Sequence, residues 1–221
     1  MKRLITLCAA AGLFLTCASA SWADVIFSDN FDAENGGGFA LNYDAFAQWS
    51  LVDPTVDLIG NGDYDWYPGH GLYVDMDGSS LDAGKITSMR IPADPGLYTL
   101  KFSLAGCYWD PAKYGHEALD MVTVEVNGST AGSLTAGNVL FSETYSLPWD
   151  QGFTAYSVDF SVPDTSSHLT VSFEGFAKDG GDNIGMLVDD VAIAAVPAPG
   201  AVLLGSIGVS LVGWLRRRRM L

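Results

Sequence analysis

The chain has 221 residues, with 26 acidic side chains against 11 basic ones and a formal charge of −15 at neutral pH. That acidic excess excludes a surface for nucleic acid or anionic lipid, because like charges repel at range. Of the three cysteines, Cys8 and Cys17 lie near the start, which leaves Cys107 alone in the rest of the chain and excludes an intrachain disulfide there.

Residues 1–23 are read as a signal peptide. Met1–Arg3 is positively charged, Leu4–Cys17 is apolar, and the small triplets Ala18-Ser19-Ala20 and Ser21-Trp22-Ala23 each suit signal peptidase. The apolar core predicts a signal helix too short to be a membrane span. Cleavage is expected after Ala20 or Ala23, with export of the remaining chain.

Residues 24–195 hold every acidic residue and only Lys85, Arg90, Lys101, Lys113 and Lys178 as bases, a formal charge of −21. Acidity on this scale favours solubility and tolerates divalent cations. Asp29, Asp32 and Glu34 fall in and after the first predicted strand, and Gly36-Gly37-Gly38 comes next as a loop. Tyr64 to His70 is rich in Trp, Tyr, Pro and Gly and reads as a loop with an aromatic surface. Tyr98, Leu100, Phe102 and Leu104 alternate with polar residues, as do Val122, Val124 and Val126, then Tyr156, Val158, Phe160 and Val162, then Leu169, Val171 and Phe173. Period 2 with β-branched and aromatic residues marks half-buried strands. Turn residues separate the runs at Asn61-Gly62-Asp63, Asp77-Gly78, Asp94-Pro95-Gly96, Asn127-Gly128 and Asp179-Gly180-Gly181. Cys107 is expected buried at a strand end. Eight to ten short strands predict an all-β fold, an antiparallel β-sandwich of the jelly-roll kind.

Three chemistries can be weighed in this domain. Asp29, Asp32 and Glu34 near the first strand, with Asp189 and Asp190 in the last, would supply oxygens to a structural Ca2+ if first and last strands are neighbours. No stretch matches a complete calcium loop; Asp75-Met76-Asp77-Gly78 is a fragment of one, a pattern that more often makes a turn. Trp66, Tyr67, Tyr108 and Trp109 lie in predicted loops, where flat rings could stack on sugar faces; the other reading is that they cap the sandwich ends. Catalysis lacks a signature: His70, His116 and His168 have no metal-ligand spacing, Gly-x-Ser-x-Gly is absent, and abundant acids make chance carboxylate pairs inevitable. No catalytic residue is assigned, and the domain is expected not to be an enzyme.

Residues 196–221 form a tripartite tail. Val196-Pro197-Ala198-Pro199-Gly200 breaks incoming structure. Residues 201–215 are fifteen uncharged residues, about 22 Å as a helix, against a hydrocarbon core of roughly 30 Å. Arg216, Arg217, Arg218 and Arg219 close it and would hold that end on the cytoplasmic side. Val-Pro-x-Pro-Gly, a short apolar helix with Gly205, Gly208 and Gly213, then Trp-Leu-Arg-Arg-Arg-Arg resembles the PEP-CTERM sorting signal of biofilm-forming Gram-negative bacteria. Val196, Pro197, Pro199, Gly200 and Arg216–Arg219 carry the resemblance; Ala198 stands where the family's namesake has Glu. It implies an exosortase-type membrane peptidase as partner, a transmembrane helix in the precursor only, and a domain placed at the cell surface or in the extracellular matrix.

Leu72–Ser79, Gly96–Gly106 and Asn183–Val191 resemble, in that order, segments of galactose-binding-like jelly rolls. That resemblance implies a lectin-like scaffold. The sequence therefore predicts a non-catalytic exported protein that binds extracellular polysaccharide. A purely structural matrix component with no small ligand, or a secreted glycan-active hydrolase, are the alternatives.

Overall fold

The computed structural model describes residues 24–53, 55–62, 64–80, 82–114, 119–130, 137–176, 183–197, 208 and 210. The chain divides into two units, Val25–Ala195 and a second made of Met1–Asp24 with Val196–Leu221. The expected signal helix, and nearly all of the expected membrane helix and basic tail, lie outside the described residues. Gly208 and Ser210 are helical, and among the described residues no helix is long and apolar enough to cross a membrane.

Alternating side chains produce the strands. In chain order they are β1 (Asp24–Asp29), β2 (Trp49–Asp53), β3 (Asp57–Gly60), β4 (Leu72–Asp75), β5 (Lys85–Ser88), β6 (Ile91–Pro92), β7 (Gly96–Ala105), β8 (Leu119–Ser129), β9 (Asn138–Pro148), β10 (Thr154–Val162), β11 (His168–Gly175) and β12 (Leu187–Ala195). They form two six-stranded sheets. The first runs β10-β7-β12-β4-β3, with β1 on β12; the second runs β2-β5-β11-β8-β9, with β6 on β11. The registered pairs are antiparallel, as in β10 on β7 from Thr154↔Leu104 to Val162↔Gly96. The architecture is an antiparallel β-sandwich, as the alternation predicts.

The core lies between the sheets. Leu100, Phe102 and Leu104 of β7 meet Val122, Val124 and Val126 of β8 and Leu169, Val171 and Phe173 of β11 in one cluster. Each such side chain contributes about 1.5–3 kcal/mol by leaving water. Trp49 sits among Phe27, Phe31 and Phe173 in edge and tilted ring contacts. Its indole N–H donates to Asp29 Oδ2 at 2.9 Å, so the largest core ring has no unpaired polar atom.

One predicted turn is not a turn. Asn127-Gly128 lies inside β8, opposite Thr170 and Leu169 of β11. A Cβ on Gly128 would press on Ser166 Oγ and Leu140, so glycine serves close approach here rather than chain reversal. The register of β8 against β9 shifts at this point.

Three features of the frame bear on function. β12 carries a bulge between Asp189 and Ala192, and Asp190 has a φ of 53°. β1 pairs with β12, so first and last strands are neighbours. β9 and β10, eleven and nine residues long, are edge strands of the two sheets and are consecutive in sequence.

Candidate aromatic binding platform

On β3, β4, β12 and β7 the residues that alternate with the core face outward from the first sheet. Ile59, Tyr73, Leu187 and Ala105 would therefore meet water, yet none is more than 3% exposed. Trp66, Tyr67 and Phe153 pack over them as a second apolar cluster. The loop between Gly60 and Leu72 folds back across the face and carries the first two rings. β3 and β4 pair at its base, Gly60↔Leu72, and the chain turns with positive φ at Asn61 and Gly62.

Two tyrosines fasten this layer. The Tyr73 hydroxyl accepts the N–H of Trp66 at 2.8 Å and of Tyr67 at 3.3 Å, and donates to Asp65 Oδ1 at 3.3 Å. The Tyr67 hydroxyl lies 3.0 Å from both the Gly106 and Gln151 carbonyls. Burial pushes the Tyr73 hydroxyl up to about 12. It raises Tyr67 as well, where the Cys107 thiol adds to it. Both stay neutral donors at any physiological pH.

The four predicted ring residues come together. Trp66 and Trp109 meet edge to face at 5.5 Å, and Tyr67 and Tyr108 do so at 5.8 Å. Two rings not expected from the sequence complete the group: Trp149, 6.4 Å from Tyr108, and Phe153, 5.3 Å from Tyr67. Their signal was present in Pro148-Trp149-Asp150-Gln151-Gly152-Phe153, a short turn-rich stretch with two large rings. Tyr67 is an internal fastener, whereas Tyr108 is 54% exposed. Tyr108 also has a φ of 63°, a left-handed conformation that costs a non-glycine residue of order 1 kcal/mol. Its N–H donates to the Trp149 carbonyl at 2.7 Å, which fixes that conformation.

The carboxylates proposed for calcium are partly assembled. Asp29, Asp32 and Asp190 all act electrostatically on Asp189, whose side chain is buried. Burial, then the Asp190, Asp32 and Asp29 charges, push Asp189 up to about 8. His70 Nδ1 stands 4.0 Å from Asp189 Oδ2. Several of the oxygens already serve internal donors. Asp29 accepts from Phe31 N–H and Trp49 Nε1, and Asp32 from Leu72 N–H and the Asn30 side chain. Both Glu34 oxygens lie within hydrogen-bond distance of Ala47 N–H, which takes this side chain out of the group. Among the described residues no group of three or more His, Cys, Asp or Glu side chains stands where it could hold a metal ion.

A second set of carboxylates was not grouped by the sequence, which marked Asp75 and Asp77 only as a calcium-loop fragment or a turn. Asp57, Asp75, Asp77 and Asp120 are all buried, at 6% exposure or less. Asp75 Oδ1 accepts Asp77 N–H at 3.0 Å and Gly185 N–H at 2.9 Å. Asp120 Oδ2 accepts Cys107 N–H at 2.8 Å and so anchors the strand end before Tyr108. Cys107 is buried as expected. Burial and the Asp120 charge push its thiol well up, the opposite of what a nucleophile requires. His168 is half-buried in β11, its Nδ1 3.0 Å from Ser167 Oγ; His116 lies outside the described residues.

No family model and no curated protein matches the chain. Among solved structures, one shares its fold and others align more loosely. The CBM22-1–GH10 modules of a Clostridium thermocellum endo-1,4-beta-D-xylanase, complexed with xylohexaose, align at TM-score 0.50 with 14% identity, over 79% of this chain and 29% of that one. The CBM22-1 xylan-binding domain of Paenibacillus barcinonensis aligns at TM-score 0.49 with 14% identity, over 81% of this chain and 99% of that one. The enzymatically active domain of a bacteriophage CBA120 tailspike aligns at TM-score 0.45 with 16% identity over 70% of this chain, which spans only 20% of that one. At 14% identity the likeness to the xylanase modules is one of fold.

Proposed function

We propose that this chain is an exported, non-catalytic glycan-binding protein whose contact surface is the platform of Tyr108, Trp109, Trp66 and Trp149. The observation that carries the reading is Tyr108, an exposed ring held in a strained conformation beside half-buried tryptophans. Flat rings take the C–H faces of sugars, and hydroxyls find acceptors in adjacent carboxylates. A neighbour in fold that is complexed with xylohexaose supports the reading. The test is a glycan array on the full-length chain in mild detergent, followed by titration of the best oligosaccharide while tryptophan fluorescence is recorded. Tyr108→Ala is expected to weaken binding about tenfold, since a stacked ring is worth roughly 1–2 kcal/mol. Binding to no glycan, or binding indifferent to Tyr108→Ala, would remove the proposal.

Export and sorting complete the proposal. Residues 1–23 direct the chain to the secretory route. Residues 196–221 hold the precursor in the membrane until an exosortase-type peptidase cuts near Pro197–Pro199 and passes the domain to the cell surface or matrix. Intact mass and fractionation of the native protein check this. A species lacking both ends and found outside the inner membrane is expected; a species retaining Arg216–Arg219 in that membrane defeats the sorting role.

A further inference from the structure

β9 and β10 follow one another in sequence and edge opposite sheets. Their inward side chains therefore meet along one open side of the sandwich, and register fixes which ones those are. Tyr145 of β9 lies opposite Val122, and Tyr156 of β10 lies opposite Phe102; both partners are core residues. Residues directly opposed on antiparallel strands share a face, so both tyrosines point inward. Their rings meet edge to face at 4.9 Å. Phe102 backs the pair, 5.3 Å from Tyr145 and 5.5 Å from Tyr156. Both tyrosines are half-buried, so solvent still reaches them.

A carboxylate stands at the pair. Glu143 precedes Tyr145 by two residues, is exposed, and accepts the Tyr145 hydroxyl on Oε2 at 2.9 Å. Burial, then the hydrogen bond and charge of Glu143, push that hydroxyl up, so Tyr145 stays a neutral phenol. An electron leaves such a phenol readily only when its proton leaves too, and Glu143 is within proton-transfer distance. Tyr67 and Tyr108 make a second tyrosine contact at 5.8 Å. There the Tyr67 hydroxyl lies against the Gly106 and Gln151 carbonyls, which are too weakly basic to take a proton. Residues 24–195 hold a single cysteine, so no intrachain disulfide ties the sheets together.

We propose that Tyr145 and Tyr156 form an oxidative cross-linking site, closed to dityrosine by a peroxide-driven one-electron oxidant. Each phenol gives up one electron and its hydroxyl proton, that of Tyr145 passing to Glu143. The two radicals join through a carbon beside each hydroxyl, and one C–C bond forms. The hydrogen on each joined carbon leaves as a proton, and each oxygen regains one. Two C–H bonds are thus broken in all. Hydrogen peroxide takes up the two electrons and two protons and becomes two waters. The product ties β9 covalently to β10, and so one sheet to the other. This site is independent of the glycan platform.

The test treats the full-length chain, in mild detergent, with a haem peroxidase and hydrogen peroxide. Dityrosine fluorescence is expected in the monomer, with an intact mass lower by two hydrogens. Cleavage before aspartates cuts at Asp120, Asp150 and Asp159, which separates the two tyrosines. Fragments 120–149 and 150–158 should nevertheless stay joined. Tyr145→Phe and Tyr156→Phe keep their rings, and each should abolish the joined fragments while still melting cooperatively. Glu143→Gln should slow the linkage about tenfold with no change in melting temperature. Dityrosine confined to dimers, or a monomer without it, overturns the proposal. Joined fragments that persist in either phenylalanine variant overturn it equally. A Glu143→Gln variant that links at the wild-type rate overturns the part assigned to Glu143.

Discussion

Asp75→Asn is expected to make the protein more stable at neutral pH, by about 2 kcal/mol, and to flatten its dependence on pH. Asp75 is buried and its carboxyl is held well above the usual range, first by burial and then by the charges of Asp57, Asp77 and Asp120; the Asp77 N–H opposes them. The fold therefore binds this proton more tightly than the unfolded chain does. Its contribution to stability is complete below about pH 4, the ordinary carboxylate range, and is lost as pH rises toward the raised value. Asparagine keeps the Oδ1 acceptor for Asp77 N–H and Gly185 N–H. It also places a donor amide among carboxylates. Thermal melts from pH 4 to pH 8 check this. The wild type should lose ground to the variant as pH rises, and the two should converge in acid. A variant less stable than wild type across the range would show that a charged Asp75 is what the fold requires.

Gly106→Ala should act in the opposite direction and more widely. A Cβ at Gly106 would drive into the carbonyls of Pro148 and Trp149, backbone atoms that cannot rotate away. The same residue donates to the Gln151 carbonyl and accepts the Tyr67 hydroxyl. Tyr108, two residues on, is pinned to Trp149. Separating the two loops costs about 3 kcal/mol, or roughly 6–12 °C in melting temperature for a domain of this size. It also pulls Tyr108 away from Trp149, so glycan affinity should fall even in the folded fraction. Gly96→Ala is the control. Its Cβ meets only Tyr98 Cε2 at 3.9 Å, and its effect should stay within about 0.5 kcal/mol. Equal melting temperatures for the two variants would mean that the two loops leave room for a side chain at Gly106.

The strands were legible because alternation is a local consequence of half-burial, and β7 and β8 repeat it without interruption. Their order in the sheets was not, since it depends on pairings such as β7 with β12 that no local pattern encodes. Asn127-Gly128 misled because the same dipeptide serves a tight turn and a close strand crossing equally well. The aromatic platform was half visible. Trp66, Tyr67, Tyr108 and Trp109 stood out by composition, while Trp149 and Phe153 gained meaning only when their loop came beside Gly106. Asp57 and Asp120 could not be singled out, and Asp75 and Asp77 stood out only as a calcium-loop fragment or turn, because 26 acids in one chain conceal which few are buried. Residues 1–23 and 201–215 were read from targeting signals rather than from packing, and mass and fractionation of the native protein decide that reading.

The paired edges of β9 and β10 give the acidity a further meaning. Among the described residues no other strand covers the outer side of either, and between them they carry one charged residue each, Glu143 and Asp159. Bare edges of that length invite a neighbouring molecule to add its own strand. Proteins commonly guard such edges locally, with lysine, proline or a covering loop. A large like charge on every copy would oppose that approach at long range. Colloidal repulsion would then do the work that edge chemistry does elsewhere, and crowding into a polymer of opposite charge would lift it.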